Sequence, residues 1–187
     1  MKKYLILLIT LMLSITSFAQ GNAKDFKSES NSLQFMSQNG SFIYKEFFDL
    51  PSVKKIEFQI LIMTDLVDQE KIGCLRLKTQ YKASYGTTTY IGTLDYDEID
   101  ACIQCLEKLQ SDILPSVPSS YVEVTYQTKD GVKIGAYCNE GKSNWKAYVY
   151  TRGYTVDSAE FINAENIVKI IENLKTAKSM IEEKINN

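Results

Sequence analysis

Histidine is absent from all 187 residues. That absence removes Ser–His–Asp and Cys–His catalysis, the common metallohydrolase sites and zinc centres that use imidazole. No Walker loop and no dinucleotide fingerprint is present, so no familiar phosphate cradle is available. The 21 lysines and arginines never gather into a track, and the formal net charge is −2. Nucleic acid is therefore not an expected partner. Proline is scarce at three residues, and Pro51, Pro115 and Pro118 all sit where a segment should end.

Only the first residues are strongly apolar. MKKYLILLITLMLSITSFAQ has a basic start at Lys2 and Lys3, an apolar run from Leu5 to Leu13, and small residues at Ser17 and Ala19. This pattern predicts a secretory leader over residues 1–19, cleaved after Ala19, and a destination in the periplasm or outside a bacterial cell. The run is shorter than the roughly 20 residues that cross a bilayer, so the mature chain is expected to carry no transmembrane anchor. Cleavage leaves 168 residues and removes two lysines, taking the net charge from −2 to −4. That length supports one domain with a substantial core.

Residues 20–40 are rich in Ser, Asn, Gln and Lys and read as a flexible tether, with a short strand at Leu33–Met36 as the alternative. From residue 41 to 187 the chain reads as a single domain. Lys55–Thr64 alternates, with Ile56, Phe58, Ile60 and Ile62 on one face. Its other face ends in Leu61 and Met63, so the outer side of this strand calls for a cover from the N-terminal segment or a second subunit. Lys71–Tyr81 and Thr87–Leu94 continue as strands. Tyr121–Thr128, an Asp130-Gly131 turn, Val132–Cys138 and Ser143–Thr151 repeat the pattern.

Two amphipathic helices follow the strands. The first runs from about Asp95 to Ile113, with Asp95 and Glu98 spaced as a capping box and Ile99, Cys102, Leu106 and Leu109 in a stripe. The second is capped by Asn163 and carries Ile167, Ile171, Leu174, Ala177 and Ile181. The expected class is α+β, an antiparallel sheet with two main helices packed on one face. A Lys-Ile-Gly tripeptide at 71–73 returns at 133–135. It suggests an internal duplication of a βββα unit, with repeats at about 55–113 and 121–187.

The four cysteines, Cys74, Cys102, Cys105 and Cys138, permit three full pairings. Cys102-x-x-Cys105 falls inside the first helix, behind Asp95, Asp97, Glu98 and Asp100, where nearby acids raise a thiol pKa. We read Cys102 as core and Cys105 as flank, expect no bridge between them, and leave a Cys74–Cys138 link open. The acids themselves read as helix capping. No metal, cofactor or catalytic residue is assigned from the sequence.

The remaining signal is aromatic: the chain has 12 tyrosines, and five of them lie in the later strands beside Trp145. Core parity in those strands belongs to Val132, Ile134, Ala136, Trp145, Ala147 and Val149. The opposite parity holds Tyr137, Tyr148 and Tyr150, which are the ligand-binding candidates and should be partly exposed. The reading is an exported, non-catalytic protein binding a glycan, a peptide or a protein. One alternative is a structural or assembly module of the cell envelope, including a homodimer that buries Leu61, Met63, Leu75 and Leu77. The other is a histidine-independent hydrolase using carboxylates.

Overall fold

The computed structural model describes residues 29–153 and 155–186. The leader expected over 1–19, and residues 20–28 of the tether, lie outside the described residues. Eight strands form: β1 (Ile43–Val53), β2 (Ile56–Asp65), β3 (Lys71–Ala83), β4 (Gly86–Asp95), β5 (Val122–Gln127), β6 (Lys133–Cys138), β7 (Lys146–Tyr150) and β8 (Ala159–Asn163). The helices are α1 (Asn31–Met36), α2 (Ile99–Lys108) and α3 (Ile167–Asn186).

Every adjacent strand pair is antiparallel, because short turns return the chain beside itself. The strands divide into two sheets of four, ordered β1-β2-β3-β4 and β5-β6-β7-β8. The fold is therefore α+β, with two principal helices packed together on antiparallel sheets. Each sheet is followed by one 3₁₀ turn, Tyr96–Glu98 or Ala164–Asn166, and then by its helix. The two junctions superpose in sequence at a constant offset (163 − 95 = 68): Asp95 with Asn163, Glu98 with Asn166, Ile99 with Ile167, Leu106 with Leu174.

This order, ββββα used twice, is consistent with a duplicated unit. The Lys-Ile-Gly recurrence is not its register, however. It joins the third strand of the first unit to the second strand of the second.

One core unites the inner faces of both sheets with α2 and α3. Phe58, Ile60, Leu75, Leu77 and Leu94 meet Ile134, Ala136, Ala147 and Val149 there, around Cys102, Leu106, Ile170 and Leu174. Each fully buried Ile or Leu contributes about 1.5–3 kcal/mol. The sheets meet where β4 abuts the β5–β6 turn. Asp130 accepts from the Thr93 amide at 2.8 Å and its hydroxyl at 2.9 Å. Gly92 permits the approach, since a Cβ there would stand 2.2 Å from the Thr151 carbonyl oxygen.

One end of the outer face of the first sheet, around Leu61, Met63 and Cys74, is covered by the chain's own N-terminal segment. Asn31–Met36, within the expected tether, is a helix rather than a mobile stretch or a strand. Its Phe35 packs with Leu61, Met63 and Cys74 into a second, smaller core. Leu75 and Leu77 face the main core instead. All four residues assigned to a dimer contact are thus buried within one chain. A second subunit would reach Leu61 and Met63 only by displacing α1.

The cysteines are free. Cys74 lies under α1 and Cys138 in the main core, on opposite faces of their sheets, so the two do not link. Burial pushes the Cys74 and Cys102 thiols up to about 12, which keeps them protonated and unreactive near neutral pH.

Candidate functional site

Cross-strand register assembles an aromatic surface on the outer face of the second sheet. Thr125 pairs with Gly135, Gly135 with Tyr148, and Tyr148 with Phe161, forming one rung across all four strands. The next rung carries Glu123, Tyr137, Lys146 and Asn163. Five rings result. Tyr137 stands 6.4 Å from both Tyr121 and Tyr148, while Tyr148 and Tyr150 lie 5.5 Å apart, edge to face. Phe161 stands 6.3 Å from both Tyr137 and Tyr150. Such separations favour the rings over isolated side chains by about 0.5–1.5 kcal/mol per pair.

The three tyrosines named from the sequence are brought together, but they differ in accessibility. Tyr137 and Tyr150 are half-buried as expected, whereas Tyr148 is only 3% exposed. Its ring lies across the bare backbone of Gly135, where a Cβ would stand 2.6 Å from the phenol oxygen. The hydroxyl donates to Glu123 at 2.6 Å and pairs with Thr125. Burial, and then the Glu123 carboxylate, raise the Tyr148 pKa and hold the phenol neutral. Tyr148 is the floor of this surface. Sequence parity missed two of its members, Tyr121 and Phe161, at 58% and 54% exposure the most accessible rings of the five.

A second constellation lies at the β4–α2 junction, where the ligand atoms of Asp95, Asp97 and Glu98 fall within 4.8 Å of one another. The Asp95 carboxylate accepts from the Ser30 hydroxyl at 2.9 Å, the Asn31 amide at 2.6 Å, and the Ser32 amide and hydroxyl. Glu98 accepts the Asp95 amide at 3.0 Å and the Lys129 amide at 2.8 Å. Asp97 takes the Lys129 ammonium at 2.6 Å. Burial raises the Glu98 pKa against the pull of those two amides.

Both the expected capping box and a wider clasp are present. The acids tie α1 and the β5–β6 turn to the start of α2. A divalent cation would compete there with protein N–H and O–H donors and with the Lys129 charge. Asp100 stands apart, with both oxygens 2.6 Å from Lys178.

No family model matches the chain, and no curated protein matches it. Among the described residues, no helix is long and apolar enough to cross a membrane.

Proposed function

We propose that the chain is an exported, non-catalytic interaction protein that takes a polypeptide partner on the outer face of its second sheet. The observation that carries this reading is the five-ring surface with Tyr121 and Phe161 open to solvent. Buried aromatic anchors dominate protein interfaces, and tyrosine supplies area at low conformational cost. The tilts between neighbouring rings, 34° to 88°, favour interdigitating side chains over the flat stacking a sugar ring needs. Export rests on the leader pattern, and the lack of histidine leaves only hydrolytic routes that use no imidazole.

A photo-crosslinking residue at position 161, in the cells that make the protein, tests this. A discrete adduct is expected, together with a mature chain beginning at Gln20. Replacing Tyr121 and Tyr137 with alanine should weaken the contact by about 2–4 kcal/mol, roughly 30- to 1,000-fold, with little change in melting temperature. An adduct containing only this chain would make the partner a second copy. The absence of any adduct at 161 would end the reading.

One observation favours the carboxylate alternative: three acids converge at Asp95, Asp97 and Glu98, one with a raised pKa. Their occupation by protein donors argues for a structural clasp. Turnover of a panel of chromogenic glycosides separates the two. None is expected, whereas turnover abolished by Asp97→Asn would favour the carboxylate reading.

A further inference from the structure

A cleft of about 730 Å³ opens where the two sheets part, at the end of the molecule where β1 turns into β2. Its volume falls in the range of about 300–1,000 Å³ typical of ligand pockets. Neither the aromatic surface nor the carboxylate clasp lies within it; Val156 alone connects it to the aromatic side.

The walls carry opposite charge. Lys54 and Lys55 in the β1–β2 turn and Lys82 near the end of β3 form the wall built by the first sheet. Asp157 and Glu160 form the wall built by the second. Among the described residues none of these five makes an ion pair, and Glu57, beside them, is already taken by Lys78 at 2.9 Å. Unpaired charges of opposite sign on facing walls create a field across the cleft, and a dipolar molecule aligns with it.

The backbone narrows the class of molecule. Pairing of β2 with β3 stops at Glu57 and Lys78, yet β3 continues to Ala83, so its Gln80–Lys82 edge faces the cleft without a β2 partner. On the other side β8 is the edge strand of its sheet and places Ala159 and Glu160 in the wall. Two strand edges offering N–H and C=O groups suit an extended main chain, which a sugar or a simple amine does not have.

We propose that this cleft binds a short peptide with free termini, its carboxylate toward the lysines and its ammonium toward Asp157 and Glu160. The chain runs between the two strand edges, with Tyr81 and Val156 supplying apolar contact for a central side chain. This site is independent of the aromatic surface, and failure of either leaves the other standing.

Amide chemical shifts of the full chain, titrated with the tripeptide Ala-Phe-Ala, provide the test. Saturable shifts are expected at residues 80–82 and 156–160, with the same affinity in a Tyr121→Ala/Tyr137→Ala variant. Acetylating the peptide's N-terminus should weaken binding about tenfold in the parent chain and hardly at all in Asp157→Asn/Glu160→Gln. Amidating its C-terminus should behave likewise against Lys55→Gln/Lys82→Gln. This reciprocal loss assigns each terminus to its wall. The substituted side chains are at the surface, so folded variants are expected and their own spectra verify it. Equal binding of the blocked and free peptides, or no saturation at millimolar concentration, would overturn the proposal.

Discussion

Replacing Asp95 with alanine should lower the unfolding free energy by about 3–5 kcal/mol, because several donors to one buried carboxylate lose their acceptor at about 1–3 kcal/mol each. Asp95 is 2% exposed and accepts from four groups of the N-terminal segment. Without it the Asn31 and Ser32 amides lose their acceptor, and the Ser30 and Ser32 hydroxyls keep each other, 3.1 Å apart. The Glu98 amide also loses the Asp95 side chain, one half of the capping box, while the Glu98 carboxylate keeps the backbone amide of residue 95.

In a chain of this size such a loss corresponds to a melting temperature lower by roughly 6–20 °C. Hydrogen exchange should quicken at residues 31–36 before it does in α3, because α1 then loses its main polar tie and keeps chiefly the apolar contacts of Phe35 and Met36. Asp97→Asn is the control. Its partner Lys129 is 31% exposed, and its loss should cost no more than about 1 kcal/mol. A loss in Asp95→Ala as small as that control would mean that the acids do not clasp α1.

This clasp explains why the N-terminal segment was illegible as sequence. Asn31–Met36 is six residues long, too short to hold a helix by itself or to display a period. Long-range contacts make it a helix, above all Phe35 on Leu61 and Met63, and Ser30, Asn31 and Ser32 on Asp95. Before those contacts are known, a stretch rich in Ser and Asn reads as a tether. The need for a cover was legible, because Leu61 and Met63 occupy the outward parity of β2.

Elsewhere local pattern sufficed where burial follows a single period. The inner residues of β6 and β7, from Ile134 to Val149, and the stripes of α2 and α3 are buried as their spacing predicts. β8 escaped because five residues give too little alternation, and Phe161 went unseen with it. The split into two sheets was also hidden. It lies in the strand pairing, where β4 ends one sheet and β5 opens the other on the far side of α2, and no local pattern marks that break. The Lys-Ile-Gly recurrence misled for a related reason: a tripeptide fits any strand, while the offset that relates the two units runs through the helix caps.

Gly135→Ala should be the most informative change on the aromatic side, with an expected loss of about 3 kcal/mol or more. Overpacking a tight site typically costs about 1–3 kcal/mol, and more where backbone blocks relief. Here the added Cβ would stand 2.3 Å from the Val124 carbonyl oxygen and 2.7 Å from a Tyr148 ring carbon. The oxygen belongs to β5 and can retreat only by opening the β5–β6 ladder. The ring can move, but only outward, giving up its hydrogen bond to Glu123. Parity alone put Tyr148 on the outer face; the missing side chain opposite it decided that the ring lies flat and buried.

Tyr148→Phe then separates the hydroxyl from the ring. It keeps the cover over Gly135 and should cost about 1–3 kcal/mol, since the hydroxyl's bonds to the Glu123 carboxylate and to Thr125 are both lost. Tyr148→Ala should cost about 3–5 kcal/mol, as for other buried aromatics. Chemical denaturation of the three variants measures these differences directly. A Gly135→Ala variant as stable as the parent would mean that Tyr148 does not rest on Gly135. The ring would then count with Tyr137 and Tyr150 as an accessible contact residue rather than as the floor beneath them.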